Sequence, residues 1–182
     1  MRPTLLLHAC CAPCSIYVLQ KLSADYQVTI YFYDPNIHPR KEYNKRRDEL
    51  KQYAQKLSLD FIEGPYDSAR WLEKTKGLEA EPEKGKRCEV CFDIRLFESA
   101  RYAKENKFEV WTTVLSISPH KDTKQINEVG ERIANVIGLP FISADWKKQD
   151  GFKIASQLSK QAGFYRQDYC GCIYSKKARY EH

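Results

Sequence analysis

The sequence predicts an α/β protein with an open, mostly parallel sheet and helices on both faces. Short apolar segments typical of β-strands alternate along the chain with longer amphipathic segments typical of α-helices. Such alternation favours a parallel sheet, because consecutive parallel strands need a crossover that is usually a helix. The chain has 182 residues, 42% of them hydrophobic, which is enough for a sizeable core. We therefore expect a single domain over residues 1–182.

Five short segments are predicted as strands. Each is rich in apolar, β-branched or aromatic residues, which favour extended backbone. In chain order they are Thr4–His8 (TLLLH), 27–33 (QVTIYFY), Asp60–Glu63 (DFIE), 108–113 (FEVWTT) and 141–143 (FIS). Residues 76–87 are polar and contain glycine and proline, so this stretch is predicted to be a mobile excursion.

Five further segments show the spacing of apolar residues that is typical of amphipathic helices. Ser15 is expected to cap the first helix, and Gly138 is expected to end the fourth. The second is predicted over residues 41–57, the third from Cys88 to about residue 106, and the fifth over about 152–162. The side chains that this spacing places on the inner faces are Ile16, Leu19, Leu22, Tyr43, Leu50, Ala54, Leu57, Ile94, Leu96, Phe97, Ile126, Val129, Ile133 and Val136.

Charge and composition narrow the classes of function. The net charge of +6 favours anionic partners such as nucleic acid, and the 12 tyrosines suit stacking on bases. No stretch approaches the roughly 20 apolar residues of a membrane span. The apolar run Leu5–Leu7 is shorter than the core of a signal peptide, which needs about 7–15 residues. We therefore predict a cytoplasmic protein, without a membrane partner, whose thiols stay reduced.

Three polar segments follow predicted strands. HACCAPCS follows the first strand, DPNIHP follows the second, and SISPHK follows the fourth. In open parallel sheets, binding sites form at the carboxyl ends of the strands. We therefore expect the three segments to contribute to one site.

The seven cysteines fall into three groups that are far apart in the sequence. An odd number excludes complete internal disulfide pairing, and a C-x-x-C spacing lets two thiolates reach one metal or cluster. A structural zinc or a four-iron cluster takes four ligands. Three ligands plus an open position is the pattern of a catalytic metal, so seven thiols permit two centres. The groups are Cys10, Cys11 and Cys14; Cys88 and Cys91; and Cys170 and Cys172.

Five motifs, in order along the chain, carry a resemblance to a known family: HACCAPCS, DPNIHPRKEYNKR, RCEVCFDIRL, TTVLSISPHKD and YRQDYCGCIYS. They resemble the cobalamin-independent epoxyqueuosine reductases, the QueH family, over about residues 7–175. The resemblance implies removal of the epoxide oxygen of epoxyqueuosine in tRNA, giving queuosine. It also implies a 4Fe-4S cluster and a neighbouring mononuclear metal ion, iron or zinc, served by an external electron donor.

The family fold resembles the nucleotide-binding fold of PP-loop (HUP-type) enzymes. Those enzymes carry a glycine-rich SGGxDS loop after the first strand, which cradles phosphate. HACCAPCS occupies that place here and contains no glycine, so ATP binding is not expected.

The implied reaction is a two-electron, two-proton deoxygenation that releases water. The hypothesis is that the ion holds the oxygen, the cluster supplies electrons and a nearby acid supplies protons. His120 and His38 are the acid candidates, since both lie on strand-end loops and histidine titrates near neutral pH. Asp34 is the third catalytic candidate, although the family pattern suggests Asn there. The residues expected to bind substrate are Asn36, Tyr43, Arg46, Ser116, Ser118, Lys121, Arg166 and Tyr169.

The adjacent cysteines Cys10 and Cys11 bear on how the thiols divide. Neighbouring side chains in an extended loop point apart, so we expect these two to serve different centres. We expect Cys11 to join the cluster and Cys10 to bind the ion. The other expected cluster ligands are Cys88, Cys91 and one of Cys170 and Cys172, with Cys14 and the remaining tail cysteine on the ion.

Two other functions stay open at this point. A PP-loop tRNA thiolase would share the fold, the cysteines and the partner, but the missing SGGxDS loop counts against it. A zinc-stabilised RNA-binding module is the alternative that is not an enzyme. Colour separates it, because a zinc protein is colourless and an iron–sulfur protein is brown.

Overall fold

The computed structural model describes residues 2–180. Four strands form one parallel sheet in the order β3-β2-β1-β4, which confirms the predicted α/β class. The strands are β1 (Thr4–His8), β2 (Gln27–Phe32), β3 (Asp60–Glu63) and β4 (Val110–Thr113). The fifth predicted strand, 141–143, is wrong as a strand, because Phe141 makes only an isolated bridge to Trp111.

Seven α-helices are present among the described residues: α1 (Ala12–Leu22), α2 (Arg40–Lys56), α3 (Ser68–Lys74), α4 (Lys86–Glu105), α5 (Thr123–Ile137), α6 (Gly151–Gln161) and α7 (Ile173–Tyr180). Helix α1 packs against α2 and α6, whereas α4 packs against α3 and α5. Crossovers between parallel strands are right-handed, so the two groups cover opposite faces of the sheet. The prediction of helices on both faces is confirmed.

The first helix begins earlier than predicted. Cys11 is its N-terminal flanking residue, in extended conformation, and Pro13 lies in its first turn, where proline favours a helix start. Ser15 is therefore inside the helix, and its hydroxyl donates to the carbonyl of Cys11 at 2.7 Å. The prediction that Ser15 caps this helix is wrong. Helices α3 and α7 were not predicted, since both are short and mostly polar.

Three side chains that the helical spacing places inward lie at the surface. Leu57 is 42% exposed, Phe97 is 37% exposed and Val136 is 71% exposed. Leu57 follows the last residue of α2, and Val136 lies in the last turn of α5, where the neighbouring Ile137 packs against the core instead. The other predicted inward side chains are buried.

The segment over residues 76–87 is anchored, contrary to the predicted mobile excursion. Helix α4 already begins within it, at Lys86. The buried guanidinium of Arg87 donates to the carbonyls of Leu78 at 3.0 Å and Glu79 at 2.9 Å, and also to that of Glu81. The polar composition of residues 76–87 does not reveal these hydrogen bonds, because the acceptors are backbone carbonyls.

The sheet order locates the site. Strand β1 is central, and its residues Leu5, Leu6 and Leu7 are fully buried because helices cover both faces. From β1 the chain proceeds outward to β2 and β3, then returns to place β4 on the other side of β1. The loops after β1 and β4 therefore diverge at the topological switch point, where ligand sites form in such sheets.

Candidate active site

Three cysteines converge at the start of α1. The Sγ atoms of Cys10, Cys11 and Cys14 all lie within 4.8 Å of one another, and those of Cys10 and Cys11 are 3.8 Å apart. The expectation that the two adjacent side chains point apart is therefore wrong. The chain changes from extended to helical at Cys11, and this turn brings both thiols to the side on which Cys14 lies.

The other four cysteines line a second, smaller cavity of about 30 Å³. Cys88 and Cys91 lie three residues apart in the first turns of α4, so they share one helix face. Cys170 and Cys172 face them from the turn that precedes α7. Cys170 also lines the larger cleft, together with Cys10 and Cys14. The three sequence groups are thus brought to one end of the sheet.

An open cleft of about 970 Å³ lies beside the thiols. This volume is at the upper end of the roughly 300–1,000 Å³ of small-molecule sites. One wall comes from the loop after β4, one from α6, and one from the tail before α7. Besides the cysteines, five predicted site residues line it: Ser118, His120, Lys121, Arg166 and Tyr169.

Asn36, also predicted, lines the smaller cavity. It is 2% exposed, and its Oδ1 atom has no hydrogen-bond partner within residues 2–180. A buried amide oxygen without a donor is costly, so this atom is available to a bound group.

The turn that contains Cys170, Gly171 and Cys172, called the cysteine turn below, is hydrogen-bonded to the loop that follows β2. The N–H of His38 donates to the Gly171 carbonyl at 2.7 Å, and the Tyr169 hydroxyl donates to the His38 carbonyl at 2.6 Å. Gly171 has a φ of +116°, and a Cβ there would lie 2.9 Å from Cγ1 of Ile37. Glycine is therefore required between the two cysteines.

Three predicted substrate-binding residues do not face either cavity. Tyr43 is fully buried and donates to Glu63 at 3.0 Å, and Ser116 is buried within the loop after β4. Arg46 is also buried, and it donates to the carbonyls of Cys170 and Tyr169 at 3.2 Å and 3.3 Å. The substrate contacts predicted for these three residues stay predictions, and the hydrogen bonds of Arg46 hold the turn that contains Cys170 in place.

The two candidate acids stand in different surroundings. His120 is exposed and lines both cavities. The half-buried His38 lines neither, and its Nδ1 pairs with the carbonyl of Asn36 at 2.7 Å. The geometry therefore favours His120 for proton delivery.

A buried charged group lies beneath the thiols. Asp34 is fully buried and forms an ion pair with Arg95, and its Oδ1 lies 3.8 Å from Nε2 of His8. Burial raises the pKa of the Asp34 carboxyl to about 7, although Arg95 opposes this change. Burial, with Arg95, lowers the pKa of His8 to about 3, so this imidazole is neutral. Asp34 lines neither cavity, so the catalytic contact predicted for it is not found.

Two of the seven thiols, Cys10 and Cys170, are placed to ionise, whereas hydrogen bonds to these two and burial raise the pKa of the other five. Hydrogen bonds from Cys11 and Cys14 lower the pKa of Cys10 well below its usual value, and a hydrogen bond from Cys172 lowers that of Cys170 to about 5. Burial opposes a charge on Lys121, but the thiolates of Cys10 and Cys170 raise its pKa. Closely spaced thiolates are soft ligands that suit zinc or iron–sulfur centres.

Comparison with known proteins identifies the family. The family model described as epoxyqueuosine reductase QueH matches residues 5–178. The chain belongs to the QueH family.

Three relatives named epoxyqueuosine reductase QueH span a range of distances. The one from Histophilus somni is 46% identical over 173 residues, which cover 94% of this chain and 71% of that protein. The one from Streptococcus pyogenes is 38% identical, with coverages of 97% and 72%. The one from Dehalococcoides mccartyi is 34% identical, with coverages of 99% and 96%. The QueH match therefore extends over nearly the whole chain.

A solved structure shares the fold of this QueH-family chain. The U34-tRNA thiolase NcsA from Methanococcus maripaludis, determined with its [4Fe-4S] cluster, gives a TM-score of 0.57 at 11% identity. The match covers 96% of this chain and 62% of NcsA. It supports the predicted likeness to the PP-loop fold.

Among residues 2–180, no helix has the length and apolar character needed to cross a membrane.

Sequence reasoning missed three residues at the QueH thiols. Gln167 Nε2 donates to Cys11 Sγ at 3.0 Å. Ser175 donates through its hydroxyl to Glu83 at 2.7 Å and through its N–H to Cys172 Sγ at 3.2 Å. Glu83 lines both cavities. Gln167 and Ser175 lie within the last cysteine motif, YRQDYCGCIYS, and this position is the signal that could have indicated them.

Proposed function

We propose that the chain is an epoxyqueuosine reductase, which removes the epoxide oxygen of epoxyqueuosine in tRNA and leaves queuosine. The observation that carries the proposal is the convergence of seven thiols beside one open cleft in a chain of the QueH family. The reaction consumes two electrons and two protons, breaks both carbon–oxygen bonds, forms a carbon–carbon double bond and releases water.

The thiol geometry supports a division into four and three. Cys88, Cys91, Cys170 and Cys172 surround one small cavity, and they would hold a four-iron cluster such as the one named for NcsA. The set Cys10, Cys11 and Cys14 would hold a single ion, iron or zinc. When bound, the cluster supplies single electrons, and the ion supplies a Lewis acid with an open coordination position. This division replaces the one predicted from the sequence, which placed Cys11 on the cluster.

The chain's own groups supply the protons and stabilise charge. His120 lines the cleft and is exposed to solvent, so its ring can take up a proton and deliver it repeatedly. The ammonium of Lys121 lies on the same wall and favours negative charge on an oxygen that is leaving carbon. Gln167 lines the cleft, and its buried amide oxygen, which has no partner within residues 2–180, can accept a hydrogen bond from a substrate hydroxyl.

The proposal includes two partners and a location. The substrate is tRNA that carries epoxyqueuosine, in agreement with the net positive charge. Two electrons per turnover must come from an external donor. Seven free thiols fit the reducing cytoplasm, where thiols stay unoxidised.

The test is reductive turnover. The protein is purified and loaded with iron and sulfide without oxygen, reduced, and mixed with tRNA that carries epoxyqueuosine. Mass spectrometry of the digested nucleosides is expected to show loss of one oxygen atom, with one queuosine formed per two electrons consumed. A brown protein that leaves the epoxide intact would contradict the proposal, and a colourless zinc protein would favour the RNA-binding alternative. ATP-dependent sulfur transfer to tRNA would favour the thiolase.

A further inference from the structure

Helix α6 forms a wall of the cleft with one narrow face. Its lining residues are Phe152, Ala155, Ser156 and Ser159, which are spaced as one side of a helix. Three of the four are small, and this leaves the cleft open along the helix. Phe152, at the N-terminal end, is 41% exposed. This aromatic ring at the rim of the cleft is therefore accessible to a bound ligand.

A buried polar atom lies on the same wall. Ser159 is 1% exposed, and its Oγ has no hydrogen-bond partner within residues 2–180. Buried hydroxyls are nearly always paired, since leaving one unpaired costs free energy. Ser159 is one of the residues that line the cleft, so a bound ligand can supply the missing partner.

The α6 wall of the cleft carries positive charge that no acidic residue nearby in the sequence neutralises. No Asp or Glu occurs between Asp150 and Asp168. Lys153 and Lys160 are exposed, and neither forms an ion pair with another described residue. Each follows a lining residue by one position, so its side chain leaves the helix about 100° around from the cleft face. The two lysines therefore flank the cleft on one side.

The basic start of α2 is a weaker candidate for the same role, because none of its residues lines the cleft. Arg46 is paired with Glu42, and Arg47 is paired with Asp48 and Glu63. The acidic residues that line the cleft lie on its other walls, and each already has a partner within the chain. Asp168 is paired with Arg179, and Glu83 accepts from Ser175. The α6 wall is the part of the rim that best suits a polyanion.

We infer that a single-stranded stretch of the RNA lies along α6, with an unpaired base next to the modified nucleotide stacked on Phe152. Lys153 and Lys160 contact its phosphates. They are about 10 Å apart along the helix axis, the length of roughly three stacked nucleotides. Aromatic stacking and phosphate contacts are the two means by which proteins hold single strands. This inference rests on the proposed function and adds the path of the substrate.

The stacking contact is tested by binding of the loaded enzyme to tRNA that carries epoxyqueuosine. Phe152→Ala is expected to weaken binding about 5- to 150-fold, the loss typical of one stacked base. Phe152→Trp is expected to retain the affinity, while Phe152→Leu, which keeps apolar bulk but no aromatic face, is expected to lose most of it. The matched control is Phe97→Ala on α4, an exposed phenylalanine away from the cleft. Equal affinities for Phe152→Leu and Phe152→Trp would overturn the stacking contact.

The phosphate contacts are tested by the salt dependence of binding. Lys153→Gln with Lys160→Gln removes two charges, and the slope of log affinity against log salt is expected to become shallower by about 1.5. Lys51→Gln with Lys56→Gln on α2 removes the same charge from two other exposed lysines and is expected to leave the slope unchanged. A larger change for the α2 pair would overturn the inferred path. Wild-type turnover is measured in parallel, so an enzyme that binds tRNA without reducing it contradicts the proposed function and not this path.

Discussion

The N–H of His38 donates to the carbonyl of Gly171 at 2.7 Å, and this bond joins the loop after β2 to the turn between the last two cysteines. The residues at the two ends are 133 positions apart in the sequence. Because the turn has no regular secondary structure, its shape depends on this loop and on the buried Arg46 beside it. The first two predictions concern this junction.

Gly171→Ala is expected to displace the cysteine turn. The new Cβ would meet Ile37 at 2.9 Å, and the φ of +116° is strained for alanine, at a cost of about 1–3 kcal/mol. We expect a reduced iron and sulfide content after anaerobic loading, measured by chemical analysis. Gly163→Ala is the control, since that glycine also has a positive φ, +69°, but nothing lies within 4 Å of the new Cβ. Equal metal content in both variants would show that the turn tolerates a side chain.

Arg46→Ala is expected to destabilise the fold by about 3 kcal/mol, because it leaves Glu42 and two buried carbonyls without their donor. Arg47→Ala removes a more exposed ion pair and is expected to cost less than about 1 kcal/mol. Denaturant unfolding of the two variants measures the difference. Similar losses would mean that Arg46 does not organise the turn.

Asp34 is expected to make stability depend on pH. Its folded pKa of about 7 lies above the usual 3.8, so the folded state binds the proton more tightly than the unfolded state does. Relative to Asp34→Asn, the wild type is therefore expected to be most stable below about pH 4. It should lose up to about 4 kcal/mol of that advantage as the pH rises to 7, at about 1.4 kcal/mol per unit. Unfolding of both proteins across this range provides the measurement, and parallel curves would contradict the prediction.

His120→Gln is expected to lower the single-turnover rate about 100- to 10,000-fold, since it removes the proposed proton donor from the cleft. His38→Gln is the matched control, and it is expected to change the rate little because that ring lines neither cavity. Rapid-quench measurement with epoxyqueuosine tRNA separates this step from binding. If the His38 variant is the slower enzyme, the assignment of the acid is wrong.

The sequence alone predicts the parts of the fold that local patterns determine. The bounds of Thr4–His8 and Asp60–Glu63 agree with the structure, because apolar and β-branched runs mark strands directly. The position of HACCAPCS and SISPHK at the same end of the sheet also follows from local patterns, since each segment comes after a parallel strand. Helix α7 has only 8 residues, too few to be stable alone in water, so its formation depends on tertiary contacts.

The finer arrangement of the site needs the three-dimensional structure. Cys10 and Cys11 are adjacent, and an extended loop would turn them apart, but α1 begins at Ala12, four residues before the start that a cap at Ser15 predicts. Arg46 has the sequence context of a surface lysine or arginine, and its burial arises from carbonyls more than 120 residues away. A pattern within one segment carries no information about such partners.

The central claim is that the seven thiols form two separate centres, and metal analysis of two matched variants tests it most directly. Wild-type protein, Cys88→Ala and Cys14→Ala are loaded without oxygen, and iron, zinc and sulfide are counted per chain. We expect Cys88→Ala to lose the sulfide and the visible absorption, whereas Cys14→Ala keeps both and loses one metal ion. Loss of sulfide from both variants to the same extent, or an intact absorption band in Cys88→Ala, would contradict the account.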